Sequence, residues 1–339
     1  MLTIDGSTGE GGGQIIRTSL ALSLITRKPF RIERVRARRA KPGLQRQHLT
    51  AVKAAAEIGR AEVEGAGVGS QQFSFRPREV APGDYRFPIG TAGATTLVFQ
   101  TVLPPLMLAD GPSTLSFEGG THNVHAPPYD FLERVFLPLV KRMGPRVELT
   151  LERYGFYPPG GGRFRVHIEP SHTLSPLTLA ERGAIRRRRA RALVVNLPPH
   201  IAERELLTIG EELDWTDGEL QVEASKNALS PGNVVMLEVE SEHLTEMFTR
   251  VGERGLRAER VATEACREAR RYLSTDAPVG EHLADQLLIP LALAGGGSYV
   301  TLPLSLHTTT NIEVIKKFLD VDIKTEPLTG GLWRVSVNG

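Results

Sequence analysis

Residues 13–35 read GQIIRTSLALSLITRKPFRIERV, and the same pattern returns twice. It recurs as GATTLVFQTVLPPLMLADGPSTLSFEG at 93–119 and as GEHLADQLLIPLALAGGGSYVTLPL at 280–304. Each stretch reads as a glycine, an apolar helix of roughly four turns, a turn of Gly, Pro or Lys, and an alternating strand. A second helix follows each time: LTAVKAAAEIG at 49–59, YDFLERVFLPLVKRMG at 129–144 and NIEVIKKFL at 311–319. Each copy then closes on a polar–apolar strand behind glycine, GSQQFSFRP, GGRFRVHIEP or GGLWRVSVNG. Such self-similarity is the mark of a repeat architecture. The pattern predicts an α+β fold, with three repeated βαβαββ-like units forming one large domain from residues 1–175 and 278–339.

Residues 176–277 interrupt the pattern. They carry the basic run ERGAIRRRRARALVVNLPPH, a helix near AERELLTIGEEL, a strand NVVMLEVES and a long helix AERVATEACREARRYLS. This segment is expected to form a smaller α/β domain inserted into the larger one. The four arginines at 186–189 form either a solvated face or, beside a ligand, an anion-facing patch.

The 339 residues are enough for two or three compact units. Hydrophobic residues make up 40% and charged residues 24%, the balance of a globular protein that is not membrane-embedded. Net charge is only +2, so nucleic-acid binding has to rest on local patches. One such patch is dense: residues 27–46 hold nine Lys or Arg against a single acid, Glu33. The lone Cys266 cannot form an intrachain disulfide, which fits a reducing compartment. The stretch LVFQTVLPPLMLA is too short and too broken by Gln100, Pro104 and Pro105 to span a bilayer. With no charged-then-apolar leader in MLTIDGSTGEGGGQ, a cytoplasmic location is expected.

Six segments taken in order, DGSTGEGGGQIIR, RAKPGLQRQHLTAVKAA, GSQQFSFRP, GFYPPGGG, GEHLADQL and HTTTN, resemble the RNA 3′-terminal phosphate cyclase family. The resemblance runs through nearly the whole chain. It implies that ATP adenylylates an enzyme histidine and that AMP passes to an RNA 3′-phosphate. The neighbouring 2′-hydroxyl then closes a 2′,3′-cyclic phosphate. It also implies a divalent metal, Mg²⁺ or Mn²⁺, as cofactor, and RNA 3′-phosphate ends as partners, with no membrane and an open oligomeric state.

The residues fit those roles chemically. His307 stands at the lip of a helix, LSLHTTTNIEVI, where the threonines and Asn311 read as caps. A helix N-terminus holds phosphate oxygens and disfavours an imidazolium, so a neutral His307 keeps a lone pair for attack. The resemblance makes it the nucleophile. His282, Asp285 and Gln286 share one helix face, with Leu283, Leu287 and Leu288 toward the core. By resemblance, Glu281, His282, Leu283, Ala284, Asp285 and Gln286 bind ATP, together with Gln100, an amide that is costly to bury unpaired. Asp285 either orients His307 or binds the nucleotide. GEGGGQ at 9–14 is not a P-loop, since no Gly-Lys-Ser/Thr follows. Its Glu10 offers a hard oxygen to the metal. If Phe30, Ile32 and Val35 alternate on a strand, arginines gather on the opposite edge. Arg17, Arg36, Arg39 and Gln47 are the candidates for RNA or phosphate binding.

Two other functions fit the same fold: a non-catalytic cyclase-like ribosome-assembly factor, and an enolpyruvyl transferase. The first needs no nucleotide site, and the second needs no nucleophilic histidine. The presence of His307, Glu10, Gln100, Asp285 and Gln286 favours the enzyme with a histidine adenylate.

Overall fold

The computed structural model describes residues 1–339. The N-terminal stretch folds as β1 (Leu2–Asp5), α1 (Gly13–Thr26), β2 (Phe30–Glu33), α2 (Arg46–Ile58), β3 (Glu62–Glu64) and β4 (Phe73–Arg76). Its sheet runs β1-β2-β4-β3, with β1 parallel to β2 and the other pairs antiparallel. The next stretch is β5 (Asp84–Pro88), α3 (Thr95–Leu106), β6 (Ser113–Gly119), α4 (Tyr129–Phe131), α5 (Leu137–Arg142), β7 (Arg146–Arg153) and β8 (Gly162–Glu169). It orders its sheet β5-β6-β8-β7 with the same parallel first pair. A π-helical turn, Leu132–Phe136, joins α4 to α5 where the sequence reads as one helix.

A short strand β9 (Leu177–Leu179) follows, and then the chain leaves this framework. It builds β10 (Ile185–Val195), α6 (His200–Leu213), β11 (Leu220–Ser225), β12 (Gly232–Ser241), β13 (Thr245–Val251) and α7 (Ala258–Leu273). It returns as α8 (Glu281–Leu293), β14 (Gly296–Thr301), α9 (Leu306–Phe318), β15 (Asp322–Pro327) and β16 (Trp333–Asn338). The last sheet is β9-β14-β16-β15, again with a parallel first pair. Residues 177–179, placed by sequence in the inserted segment, therefore belong to this sheet. Three residues are too few for an alternation to show.

The inserted sheet, ordered β11-β10-β12-β13, is apolar on both faces. Ala190, Ala192 and Val194 join Val235 and Leu237 in a 17-residue core under α6 and α7. The alternating neighbours Leu193, Val195, Val234 and Met236 join the main 64-residue core. Period-two geometry thus turns one strand pair into a wall shared by two cores. The arginine run lies along β10 and is matched by carboxylates: Arg186 with Glu242 at 3.2 Å, Arg187 with Glu240 at 2.8 Å, Arg188 with Glu219 at 2.8 Å and Arg189 with Glu238 at 2.7 Å. It is a cross-strand ladder of ion pairs, not an open anion patch.

α1 is buried along most of its length, Ile15, Ile16, Leu20 and Leu22 among its buried residues. Such a helix belongs in a core, and it packs against α2, α3 and α9. That packing sets the first turn of α1 beside the first turn of α9.

Candidate active site

His307 lies inside the first turn of α9 and not ahead of it. The cap is Ser305, whose Oγ accepts the Thr308 N–H at 3.1 Å. A serine cap contributes about 1 kcal/mol to a helix. The helix therefore starts earlier than the threonines suggest, and Asn311 is released from capping. Asn311 is buried, and its Nδ2 donates to the Asp285 carbonyl at 3.2 Å and to Asp285 Oδ1 at 3.0 Å. Its Oδ1 accepts from Thr18 Oγ1 at 2.7 Å.

Asp285 does not touch His307 directly. Gln14, in the first turn of α1, stands between them. Its Nε2 donates to Asp285 Oδ1, and its Oε1 lies 2.9 Å from His307 Nδ1. A carboxylate only accepts, so Asp285 fixes which way the Gln14 amide points. The amide oxygen then faces the imidazole, and Nδ1 must carry the proton. Nε2 keeps its lone pair. Partial burial, opposed by Asp285 and aided by the Arg17 and Arg39 cations, holds the His307 imidazole below the ordinary histidine range. The Asp285 carboxyl is raised by burial, against the pull of His307, Gln14 and Arg17.

Glu10 reaches the same place from the loop before α1. Its N–H donates to Thr310 Oγ1 at 2.9 Å, and Thr310 donates onward to the Leu306 carbonyl at 2.6 Å. Gly9 adopts φ +53° directly against Thr310, where any Cβ would overlap the threonine side chain. Arg39 donates to the Glu10 carbonyl at 3.0 Å and pairs with its Oε1. Glu10 Oε2 is buried with no partner.

Arg17 is half-buried on α1, and burial lowers its guanidinium to about 10, leaving it cationic. Beside it sits His48 of α2, which the sequence reading did not single out. Its Nδ1 accepts the Gln45 N–H at 3.1 Å. Burial and the Arg17 and Arg36 charges push His48 down to about 3, so it is neutral. A Cβ at Gly13 would strike both His48 and Arg17, so only glycine lets the two side chains close over the start of α1.

Gln100 of α3 donates to Gln286 of α8, whose Nε2 in turn donates to the His282 carbonyl at 3.3 Å. Both glutamines line a cavity with Gln14, Arg17, Asp285 and Asn311. Gln100 is thus already partnered by protein. Leu283 and Ala284 turn into the core, and the Ala284 carbonyl accepts from Tyr299 Oη at 2.7 Å. His282 is exposed, and Glu281 pairs with Arg271 at 2.9 Å.

Two candidates are otherwise occupied. β2 ends at Glu33, because Arg34 and Arg36 both take φ +52° and break the ladder. Arg36 donates to the carbonyls of Lys41 at 2.6 Å and Gly43 at 3.1 Å, closing its own loop. Gln47 Oε1 accepts the Ala94 N–H at 3.1 Å, tying α2 to the start of α3. Of the basic run, Arg39 reaches the site.

The N-terminal turns of α1 and α9 and the second turn of α8 meet here, with Arg17 and Arg39 at the rim. Gly12, which begins α1, has no side-chain cap. Free N–H groups and two cations make a site for anions, phosphate above all.

The sequence profile of the family described as RNA 3′-terminal phosphate cyclase matches residues 8–325. The chain belongs to the RNA 3′-terminal phosphate cyclase family. It is 52% identical to the RNA 3′-terminal phosphate cyclase of Koribacter versatilis over 96% of this chain and 91% of that protein. It is 51% identical to the cyclase of Ectopseudomonas mendocina, over 95% and 94%, and 51% identical to that of Ralstonia nicotianae, over 99% and 97%. Among solved structures, the enolpyruvyl transferase NikO of Streptomyces tendae aligns with 98% of this chain and 47% of its own, at 13% identity and TM-score 0.38. A likeness that low decides nothing. Membership in the cyclase family makes the chain an enzyme, a ligase in class. No helix is long and apolar enough to cross a membrane.

Proposed function

We propose that this cyclase is ATP-dependent and works through an adenylate on His307. The observation that carries the reading is the Asp285–Gln14–His307 chain, which protonates Nδ1 and leaves Nε2 free. Nε2 attacks the α-phosphorus of ATP, a P–N bond forms, and the bond to pyrophosphate breaks. An oxygen of the RNA 3′-phosphate then attacks the same phosphorus. The P–N bond breaks, His307 regains its lone pair, and RNA(3′)pp(5′)A results. Finally the 2′-hydroxyl attacks the 3′-phosphorus, AMP leaves, and the 2′,3′-cyclic phosphate closes. That last step gains from intramolecular proximity.

Arg17, Arg39 and the free N–H groups of α1 suit the ATP phosphates or the RNA end. Gln100, Gln286 and the first turns of α8 suit the nucleoside. A divalent metal fits Glu10, whose buried Oε2 has no partner. Glu10 would hold it outside any protein cage, since no cluster of three or more His, Cys, Asp or Glu is present. When bound, the ion would offset charge on the phosphates. We also read the first, second and last sheets as copies of one βαβαββ unit, supported by their common strand order, with residues 180–277 as the inserted domain.

The test is a single turnover of labelled RNA on the pre-adenylylated protein. RNA ending in a 3′-phosphate should discharge the AMP, and the same RNA with a 3′-hydroxyl should not. An RNA with a 3′-phosphate and a blocked 2′-oxygen should stop as RNA(3′)pp(5′)A. If the blocked RNA returns unchanged while the adenylate is consumed, the three-step reading is wrong.

A further inference from the structure

The first turn of α8, which the ATP reading places at the nucleotide, is held from the inserted segment. Glu246 on β13 is 2% exposed, and its Oε1 accepts the Gly280 N–H at 2.6 Å. Its Oε2 accepts the Met247 N–H at 3.3 Å. Gly280 is the residue from which α8 starts. The next two residues are met by α7: Glu281 by Arg271 at 2.9 Å, and His282 by Glu268 at 3.8 Å. Tyr272 Oη, also on α7, donates to the Pro278 carbonyl at 2.9 Å. Exposed ion pairs contribute little, so the buried Glu246 bond is the anchor. Burial raises the Glu246 carboxyl to about 7, and the N–H groups of Gly280 and Met247 pull it back.

The second turn of α8 is fixed differently. Asp285 is gripped by Gln14 and Asn311, both from the main framework. The two turns can therefore be perturbed apart.

We propose that Glu246 is a positioning residue for ATP: it sets the first turn of α8, and so couples the inserted domain to nucleotide affinity without entering the chemistry at His307. This rests on the reading of α8 as a nucleotide-binding helix. It also gives the inserted domain a task at a site to which it contributes no reacting group.

Self-adenylylation of the full-length protein, followed against ATP concentration with Mg²⁺, tests this in Glu246→Ala and Glu246→Gln. Thermal melting of each variant runs alongside. Alanine removes the acceptor. It should raise the half-saturating ATP concentration about tenfold, the size of one lost hydrogen bond. The saturating rate should stay within about twofold, because the Asp285–Gln14–His307 chain is untouched. Glutamine keeps an acceptor oxygen and should restore half-saturation to within about threefold of wild type. A loss confined to the saturating rate, unchanged half-saturation in the alanine variant, or a glutamine variant no better than alanine would each overturn the role. Should the alanine variant not fold, Glu246→Asp serves instead: it draws the acceptor back from the Gly280 N–H by one methylene, and unchanged half-saturation there would equally overturn the role. No adenylate at all in the wild type would sink the ATP reading itself.

Discussion

Two histidines in this molecule are each linked to a carboxylate, and they differ in what the link leaves free. His307 is linked through Gln14 to Asp285, and His122 bonds Asp130 directly, Nε2 to Oδ2 at 2.9 Å. The difference is in the second nitrogen. His122 Nδ1 meets Thr121 Oγ1 at 2.8 Å, its ring stacks on Phe156 at 5.3 Å, and it is 1% exposed. Asp130 also pairs with Arg191 at 2.6 Å, joining the main framework to the inserted sheet. Burial would raise the Asp130 carboxyl, but His122 and Arg191 together hold it below the ordinary carboxylate range. His307 faces solvent and keeps Nε2 unpartnered. An imidazole with both nitrogens satisfied serves as a structural bond, whereas the free nitrogen of His307 suits it to the reagent's role proposed for it.

That contrast can be broken most severely at His307. His307→Ala is expected to cut self-adenylylation by more than about 10³-fold and to leave thermal unfolding where it was, since the side chain is exposed. The reverse holds for His122→Ala. Removing a buried ring and unpairing an Asp130 oxygen should lower stability by about 2–4 kcal/mol in denaturant unfolding. The folded fraction should still accept AMP from labelled ATP. Loss of adenylylation without loss of stability in the His122 variant would erase the distinction.

Smaller effects sharpen it. Gln14→Ala frees His307 to adopt either tautomer and should slow adenylylation about 10–100-fold, the usual size for a group that orients a reacting histidine. Labelled-ATP kinetics at saturating nucleotide would show it, and an unchanged rate would remove Gln14 from the mechanism. The mildest test is pH. The depressed His307 imidazole loses its lone pair only below the ordinary histidine value of about 6.5. The adenylylation rate should therefore stay flat as pH falls through that value and decline below it. A midpoint above it would mean that Asp285 outweighs burial and the nearby cations.

The helices and closing strands of the framework were legible because glycine punctuation and apolar runs are strong local signals. What escaped was weaker than its surroundings or lay across the fold. β9 has three residues. Ser305 was hidden by the three threonines that follow it. The arginine run on β10 looked free because its acids lie on β12 and in the turns beside β11 and β12. At the site, His307, Asp285 and Glu10 were visible as residue types, whereas Gln14 and Asn311 were not recognised as the links between them. One clue was present: Gln14 and Thr18 are polar residues at i and i+4 of α1, and that face meets α9. The partners of Arg36 and Gln47 were not legible, because charge and amide density says nothing about which carbonyls and N–H groups the fold will bring to them.

The central claim is that His307 Nε2 is the nucleophile. The wild-type protein should be incubated with ATP and Mg²⁺ without RNA, digested, and its AMP-bearing peptide identified by mass spectrometry. The account predicts one adduct, on the peptide containing His307, cleaved by mild acid and stable to alkali as a P–N bond is. AMP on a lysine, or ATP consumed with no adduct at all, would contradict it.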